Sequence, residues 1–196
     1  MRTLLITGFD PFGGEAVNPS WEAVSRLPDT IGNYRLTRLQ ISTVFAKAAE
    51  TVLAAAAKDT PDAILCVGQA AGRDSVTPER IAVNMASAKR PDNAGNLPVE
   101  TPIDPDGPDG IFATVPAAAM AEAIAAAGLP GKISNTAGTY VCNDTLYRLL
   151  RHYADSPVQV GFVHVPCLPE QAKEGEAAMT LGDIIAALTA AVGVLG

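Results

Sequence analysis

The chain has 196 residues, 48% of them apolar and 18% charged, with a formal net charge of −7. That length and apolar share allow a sizeable buried core, while the acidic balance leaves no basic stripe to replace phosphate counterions, which argues against a nucleic-acid partner. No apolar run reaches the roughly 18–20 residues needed to cross a bilayer, so no membrane association is expected.

The opening, Met1-Arg2-Thr3-Leu4-Leu5-Ile6-Thr7-Gly8, is too short an apolar run for a secretion signal and reads as a first strand, 3–8. Asn18-Pro19-Ser20-Trp21 predicts a helix start, a side-chain cap followed by proline at the first helical position, with an end near Leu27-Pro28. Further strands are expected at 35–42, 63–67, 80–85, 132–135 and 159–164. Several are rich in Ile, Val and Leu with little polar alternation, as when helices cover both faces of a sheet. Alanine-rich stretches predict helices at 45–58 and 116–127, the second stopped by Gly128. Leu146, Leu149, Leu150 and Tyr153 share one face of a helix that follows Cys142, and Thr180 with Asp183 approximates a capping box that opens the last helix.

Residues 89–116 change composition toward Pro, Asp, Asn and Gly. Such a long irregular stretch in a compact domain is usually functional or disordered. There is no internal repeat and no sign of a second domain. Alternating strands and helices imply a three-layer α/β fold, one domain over 1–196. Three cysteines without close pair spacing suggest free thiols in a reducing compartment, and hence a cytoplasmic protein.

Parallel strands joined by right-handed crossovers lie side by side, and α/β proteins bind ligands at the carboxyl ends of such strands. Four marked segments fall at that edge: 8–14, 68–73, the turn at Cys142 and the turn at His164. If 132–135 and 159–164 are parallel neighbours, Cys142 and His164 meet there, as a thiol nucleophile and its base require. A helix N-terminus beside Cys142 would stabilise its thiolate and offer its backbone N–H to an oxyanion. His164 could form an ion pair with the thiol or take its proton, and Glu79 could hold the imidazole.

Each residue also has a plainer reading. Cys142 could be a small buried hydrophobe, His164 a satisfied core histidine, and Glu79 a solvated or capping carboxylate. Phe9 and Phe12 fit a core, and Cys66 sits inside an apolar run. Cys167 is ambiguous. His152, late in a helix, suits a structural role. Gly13-Gly14 lacks the Lys-Ser/Thr of a P-loop, and two histidines with scattered cysteines make no zinc site, so neither metal nor cofactor is expected.

Taken together and in order, these segments resemble the pyroglutamyl-peptidase I (pyrrolidone-carboxylate peptidase) family nearly end to end. The resemblance rests on Gly8-Phe9-Asp10-Pro11-Phe12-Gly13-Gly14 with Asn18-Pro19-Ser20, Thr77-Pro78-Glu79-Arg80-Ile81-Ala82-Val83-Asn84, Gly138-Thr139-Tyr140-Val141-Cys142-Asn143 and Gly161-Phe162-Val163-His164-Val165-Pro166. It implies an α/β/α sandwich around a mixed, mostly parallel sheet, no metal, and usually a homotetramer. It implies a cysteine peptidase that removes N-terminal 5-oxoproline from peptides, with Cys142 as nucleophile, His164 as acid and base, and Glu79 orienting the imidazole. By the same matching, Phe9 and Phe12 hold the pyrrolidone ring, the Gln69 main chain meets the lactam, and Asn18 and Val141 also bind substrate. The family usually carries an arginine just before Ile-Pro-Asp-Asn. Here Lys89 takes that place and Arg90 the neighbouring apolar one, and the resemblance assigns this pair to oxyanion or loop support. Two rival readings keep the same cleft: a different cysteine hydrolase acting on another small lactam or acyl group, and a non-catalytic binding protein.

Overall fold

The computed structural model describes residues 1–196. Its central sheet has six strands in the order β2-β3-β1-β4-β8-β5, where β1 is Arg2–Phe9, β2 Thr30–Ile31, β3 Tyr34–Ile41, β4 Ala63–Gln69, β5 Thr77–Pro78 and β8 Gln159–Val165. The four inner strands run parallel; the short edge strands β2 and β5 are antiparallel to their neighbours. A separate antiparallel ladder joins β6 (Ile81–Val83) to β7 (Gly110–Phe112). The helices are α1 (Pro19–Val24), α2 (Lys47–Asp59), α3 (Ala117–Ala126), α4 (Val141–His152) and α5 (Leu181–Val192).

Period-2 alternation divides the core between two layers. Leu4, Ile6, Leu65, Val67, Val163 and Val165 pack with residues of α1, α3 and α5. Leu5, Ile64, Cys66, Val160 and Phe162 pack with residues of α2 and α4. This is the expected three-layer α/β/α sandwich around a mixed, mostly parallel sheet.

The predicted caps form. Asn18 accepts from the Ser20 N–H at 3.1 Å and Thr180 from the Asp183 N–H at 3.1 Å. α1 ends at Val24, short of Leu27, because its last turn tightens: Arg26 and Leu27 N–H bond three residues back, to Ala23 and Val24.

Two expected strands differ. Residues 80–85 do not join the main sheet. Only Ile81–Val83 is extended, and α4 takes its free edge: the Asn143 carboxamide accepts from Val83 N–H at 2.9 Å and donates to the Val83 and Met85 carbonyls. Asn84 then ends the strand by accepting from the Ile103 and Asp104 N–H groups. Residues 132–135 are not a strand beside β8. β5 occupies that place, and the segment meets it only through isolated bridges, Val76 with Gly131 and Glu79 with Ser134. Pro78 has no N–H with which to continue a ladder.

Candidate active site

β1, β4 and β8 deliver Phe9, Gln69 and His164 to one edge of the sheet. His164 shares the parity of Val160 and Phe162, so its ring lies on the α2/α4 side, and it is 3% exposed. Across the sheet it faces Gly68 of β4 on one side and Thr77 of β5 on the other. Gly68 has a steric reason to be glycine. A Cβ there would lie 3.0 Å from Cys142 Sγ and 2.8 Å from the Phe162 ring. The missing side chain makes room for the thiol.

Cys142 is the second residue of α4, and its neighbours fix it. Thr139 exchanges hydrogen bonds with Ser87, the Tyr140 hydroxyl donates to the Pro91 carbonyl at 3.0 Å, Asn143 docks on β6, and Asp144 accepts from the Ala46 N–H at 2.8 Å. Proximity of Cys142 to His164 therefore does not come from adjacent parallel strands. It comes from a loop, 134–140, that climbs past β5 and starts a helix over the ends of β4 and β8.

Glu79 follows β5 directly. It is fully buried, its N–H donates to the Phe162 carbonyl at 2.9 Å, and its Oε1 lies 2.7 Å from His164 Nδ1. That contact leaves Nε2 as the ring nitrogen available to a cavity neighbour. Arg73 completes the array. Its guanidinium donates to the same Glu79 oxygen at 2.7 Å, to the Thr77 hydroxyl, and to the Thr136 carbonyl at 3.0 Å. One cation thus ties the carboxylate to the loop that carries Cys142. The second Glu79 oxygen is buried without a partner.

Burial sets the protonation states. It pushes the Cys142 thiol up to about 12, helped by the negative charge of Glu79; Arg73 and the residue's own backbone N–H pull the other way but do not prevail. Burial thus works against the thiolate that the helix N-terminus favours. Burial also lowers the pKa of His164, against the opposing pull of Glu79. Both shifts favour the uncharged pair, thiol and neutral imidazole.

A cavity of about 620 Å³ opens over these groups, with Phe9, Phe12, Asn18, Gln69, Cys142 and His164 in its wall. Phe12 and Tyr140 stand with ring centroids 6.3 Å apart. Asn18 Oδ1 caps α1 while its Nδ2 donates to the Asp10 carbonyl at 2.9 Å, so its side chain is already engaged. Gln69 Nε2 reaches Cys167 Sγ at 3.1 Å, and its Oε1 is a buried acceptor with no partner. Val141 is not part of the wall; its side chain lies in the core between sheet and α4. Lys89 and Arg90 stand exposed at the mouth of the cavity. The same loop is held by Asp92, which accepts from Phe45, Ala94 and Asn96, and by Asn93, which donates to Asp10 and Pro11. Cys66 is core, its thiol pushed up to about 12 by burial.

Sequence reasoning did not single out Arg73 or Gly68 as individual residues, although both lie in the marked 68–73 segment. The available signal for Arg73 is a cation at the expected ligand edge, six residues before Glu79.

An α/β sandwich with a buried imidazole–carboxylate pair and a cysteine at the carboxyl edge of its parallel strands is the framework of a hydrolytic enzyme. The chain belongs to the pyroglutamyl peptidase family, whose model matches residues 2–195. It is 50% identical over 193 residues to the pyrrolidone-carboxylate peptidase of Levilactobacillus brevis, covering 96% of this chain and 95% of that one. It is 46% identical over 192 residues to the pyrrolidone-carboxylate peptidase of Lactobacillus helveticus, covering 96% of each. The crystal structure of Bacillus amyloliquefaciens pyroglutamyl peptidase I superposes with a TM-score of 0.95 at 42% identity, covering 100% of this chain and 97% of that one. The pyrrolidone carboxyl peptidase from Thermococcus litoralis gives 0.93 at 32% identity, covering 100% and 93%.

Proposed function

We propose that the chain removes N-terminal pyroglutamate from peptides, with Cys142 as nucleophile, His164 as acid and base, and Glu79 as the group that orients the imidazole. The observation that carries this reading is the buried 2.7 Å contact of His164 Nδ1 with Glu79, in a cavity that His164 shares with Cys142. A neutral imidazole held at Nδ1 can accept a proton at Nε2. The raised thiol pKa favours proton transfer concerted with attack over a preformed ion pair.

The step balances as follows. The Cys142 S–H proton passes to His164 Nε2 as sulfur bonds to the pyroglutamyl carbonyl carbon. The oxyanion meets the Cys142 backbone N–H at the start of α4. The C–N bond breaks, and His164 returns its proton to the departing amine. Water, deprotonated by His164, then attacks the thioester carbonyl, the C–S bond breaks to release 5-oxoproline, and His164 returns the proton to the Cys142 sulfur. Throughout, Arg73 holds Glu79 in place.

A pyroglutamyl residue suits the cavity's chemistry. Phe9 and Phe12 offer apolar wall to a small uncharged ring, and Gln69 stands in the same wall, where its main chain would meet the lactam. Prolyl substrates would leave polar groups of the pocket unmatched. The reading also carries a cytoplasmic location, from the unpaired cysteines, and, by resemblance, a homotetrameric assembly.

The test is release of a fluorogenic amine from its pyroglutamyl and prolyl conjugates, by wild type and Cys142→Ala. Turnover of the pyroglutamyl compound alone, lost in the variant, is expected. Turnover that survives the substitution would rule out Cys142 as nucleophile, and a preference for another lactam or acyl amide would reassign the substrate.

A further inference from the structure

The mouth of the cavity carries a charge balance opposite to that of the chain. The protein has 21 Asp and Glu against 14 Lys and Arg, yet no carboxylate lines the cavity, and three cations do: Arg73, Lys89 and Arg90. Arg73 is engaged with Glu79. Lys89 and Arg90 take part in none of the protein's ion pairs.

Position separates these two from the rest of the wall. The only exposed lining residues are Lys89, Arg90, Thr136 and Gly138, so these four form the rim. Any ligand longer than the cavity leaves across them. The Arg90 guanidinium lies over the Phe12 ring, 4.9 Å from its centroid. A cation–π contact uses no N–H donor, so those of Arg90 stay open to an anion. The turn that follows is anchored: the Tyr140 hydroxyl holds the Pro91 carbonyl at 3.0 Å, and Asn93 donates to the Pro11 carbonyl at 2.9 Å. Backbone anchoring keeps both cations at the rim.

If the pyroglutamyl ring sits inside with its carbonyl at Cys142, the departing peptide crosses this rim at roughly 3.3–3.6 Å per residue. We propose that Lys89 and Arg90 form an anion-recognising subsite for that departing segment, so that the chain favours substrates bearing a carboxylate one or two residues after the pyroglutamate. The carboxylate is an Asp or Glu side chain, or the C-terminus of a very short peptide. The proposal rests on the pyroglutamyl reading. It makes use of a pair of residues at which this chain departs from the pattern of the family it resembles.

The test uses pyroglutamyl peptide amides of one length with Glu, Gln or Lys at the second position after the ring. Values of kcat/KM are measured at 20 and 300 mM NaCl, each normalised to an uncharged pyroglutamyl conjugate for the same enzyme variant. For wild type at low salt, Glu should exceed Lys by about fivefold, from a few exposed charge pairs acting together. The ratio should shrink at high salt, because the pairs are screened. It should approach one in the Lys89→Gln/Arg90→Gln double variant and invert in Arg90→Glu. Normalised values for the three peptides within twofold of one another at low salt, with the uncharged conjugate turned over, would overturn the subsite and leave the pyroglutamyl reading intact. Failure to turn over any pyroglutamyl substrate would overturn both.

Discussion

Facing α1, α3 and α5, β4 and β8 keep their apolar alternation to the carboxyl edge, closing with Val67 and Val165, both fully buried. Facing α2 and α4, the same strands carry Ile64, Cys66 and Phe162, and then the pattern breaks at Gly68 and His164. One face is filled to its end. The other gives up two packing positions, one to a residue with no side chain and one to a titratable ring. The cavity exists because packing is withheld at that corner, and its chemistry follows from the same choice: a half-buried thiol and a buried imidazole stand beside a buried carboxylate. Stability and reactivity therefore belong to opposite sides of one sheet, and substitutions should separate them.

The largest effect should come from Glu79→Gln on the reactive side. The amide keeps an oxygen for His164 Nδ1 but loses the charge that stabilises the imidazolium formed during proton transfer. A loss in kcat on the order of 10³-fold is expected, with KM changed little. Activity within tenfold of wild type would remove Glu79 from the mechanism.

Leu188→Ala on the packing side should do the reverse. Leu188 is fully buried in α5, and its truncation should cost about 3 kcal/mol in urea denaturation while kcat stays near wild type at temperatures where the variant is folded. A comparable fall in kcat would mean that the two faces are coupled. Gly68→Ala probes the boundary between them. Its Cβ would press on Cys142 Sγ and the Phe162 ring, 3.0 and 2.8 Å away, so either the thiol or the ring must move. Displacement of the nucleophile should lower kcat by about 10²-fold. Unchanged kinetics would show that Phe162 alone yields.

These contrasts also explain what could be read in advance. The strands that build the sandwich are continuous apolar runs with a strong local signal, and β1, β3, β4 and β8 fall within a residue or two of expectation. Asn18 and Thr180 mark helix starts because a cap is a local device. β5 was not legible, and the strand expected at 80–85 shortens to Ile81–Val83 outside the main sheet, because partners far away in sequence decide both: β8 for Thr77–Pro78, and the Asn143 side chain with β7 for Ile81–Val83. At the site, ordered motifs pointed to Cys142, His164 and Glu79. The grip of Arg73 on Glu79 and Thr136 depends on how two loops meet, and no pattern within either loop encodes it. The balance between ion pair and neutral pair, left open by the sequence, is not legible there for a related reason. A helix start visible in sequence argues for a thiolate, whereas the burial that outweighs it is a property of the assembled corner.

The smallest expected effect, and the one that most sharply divides the faces, is a pH dependence of stability. Burial holds the His164 imidazole below its ordinary value of 6.5 in the folded protein, with Glu79 pulling the other way. The unfolded chain therefore binds this proton at higher pH than the folded one does. The stability associated with the neutral ring is complete above about pH 6.5, declines as pH falls toward the lower folded value, and levels off beneath it. The slope from this one group cannot exceed about 1.4 kcal/mol per pH unit. Urea denaturation between pH 8 and pH 5 should show it as a difference: His164→Gln should lose less stability on acidification than wild type. Leu188→Ala should run parallel to wild type, displaced by a constant. If wild type and His164→Gln run parallel instead, the buried imidazole is not linked to folding, and the reactive corner carries no more pH dependence than the packed one.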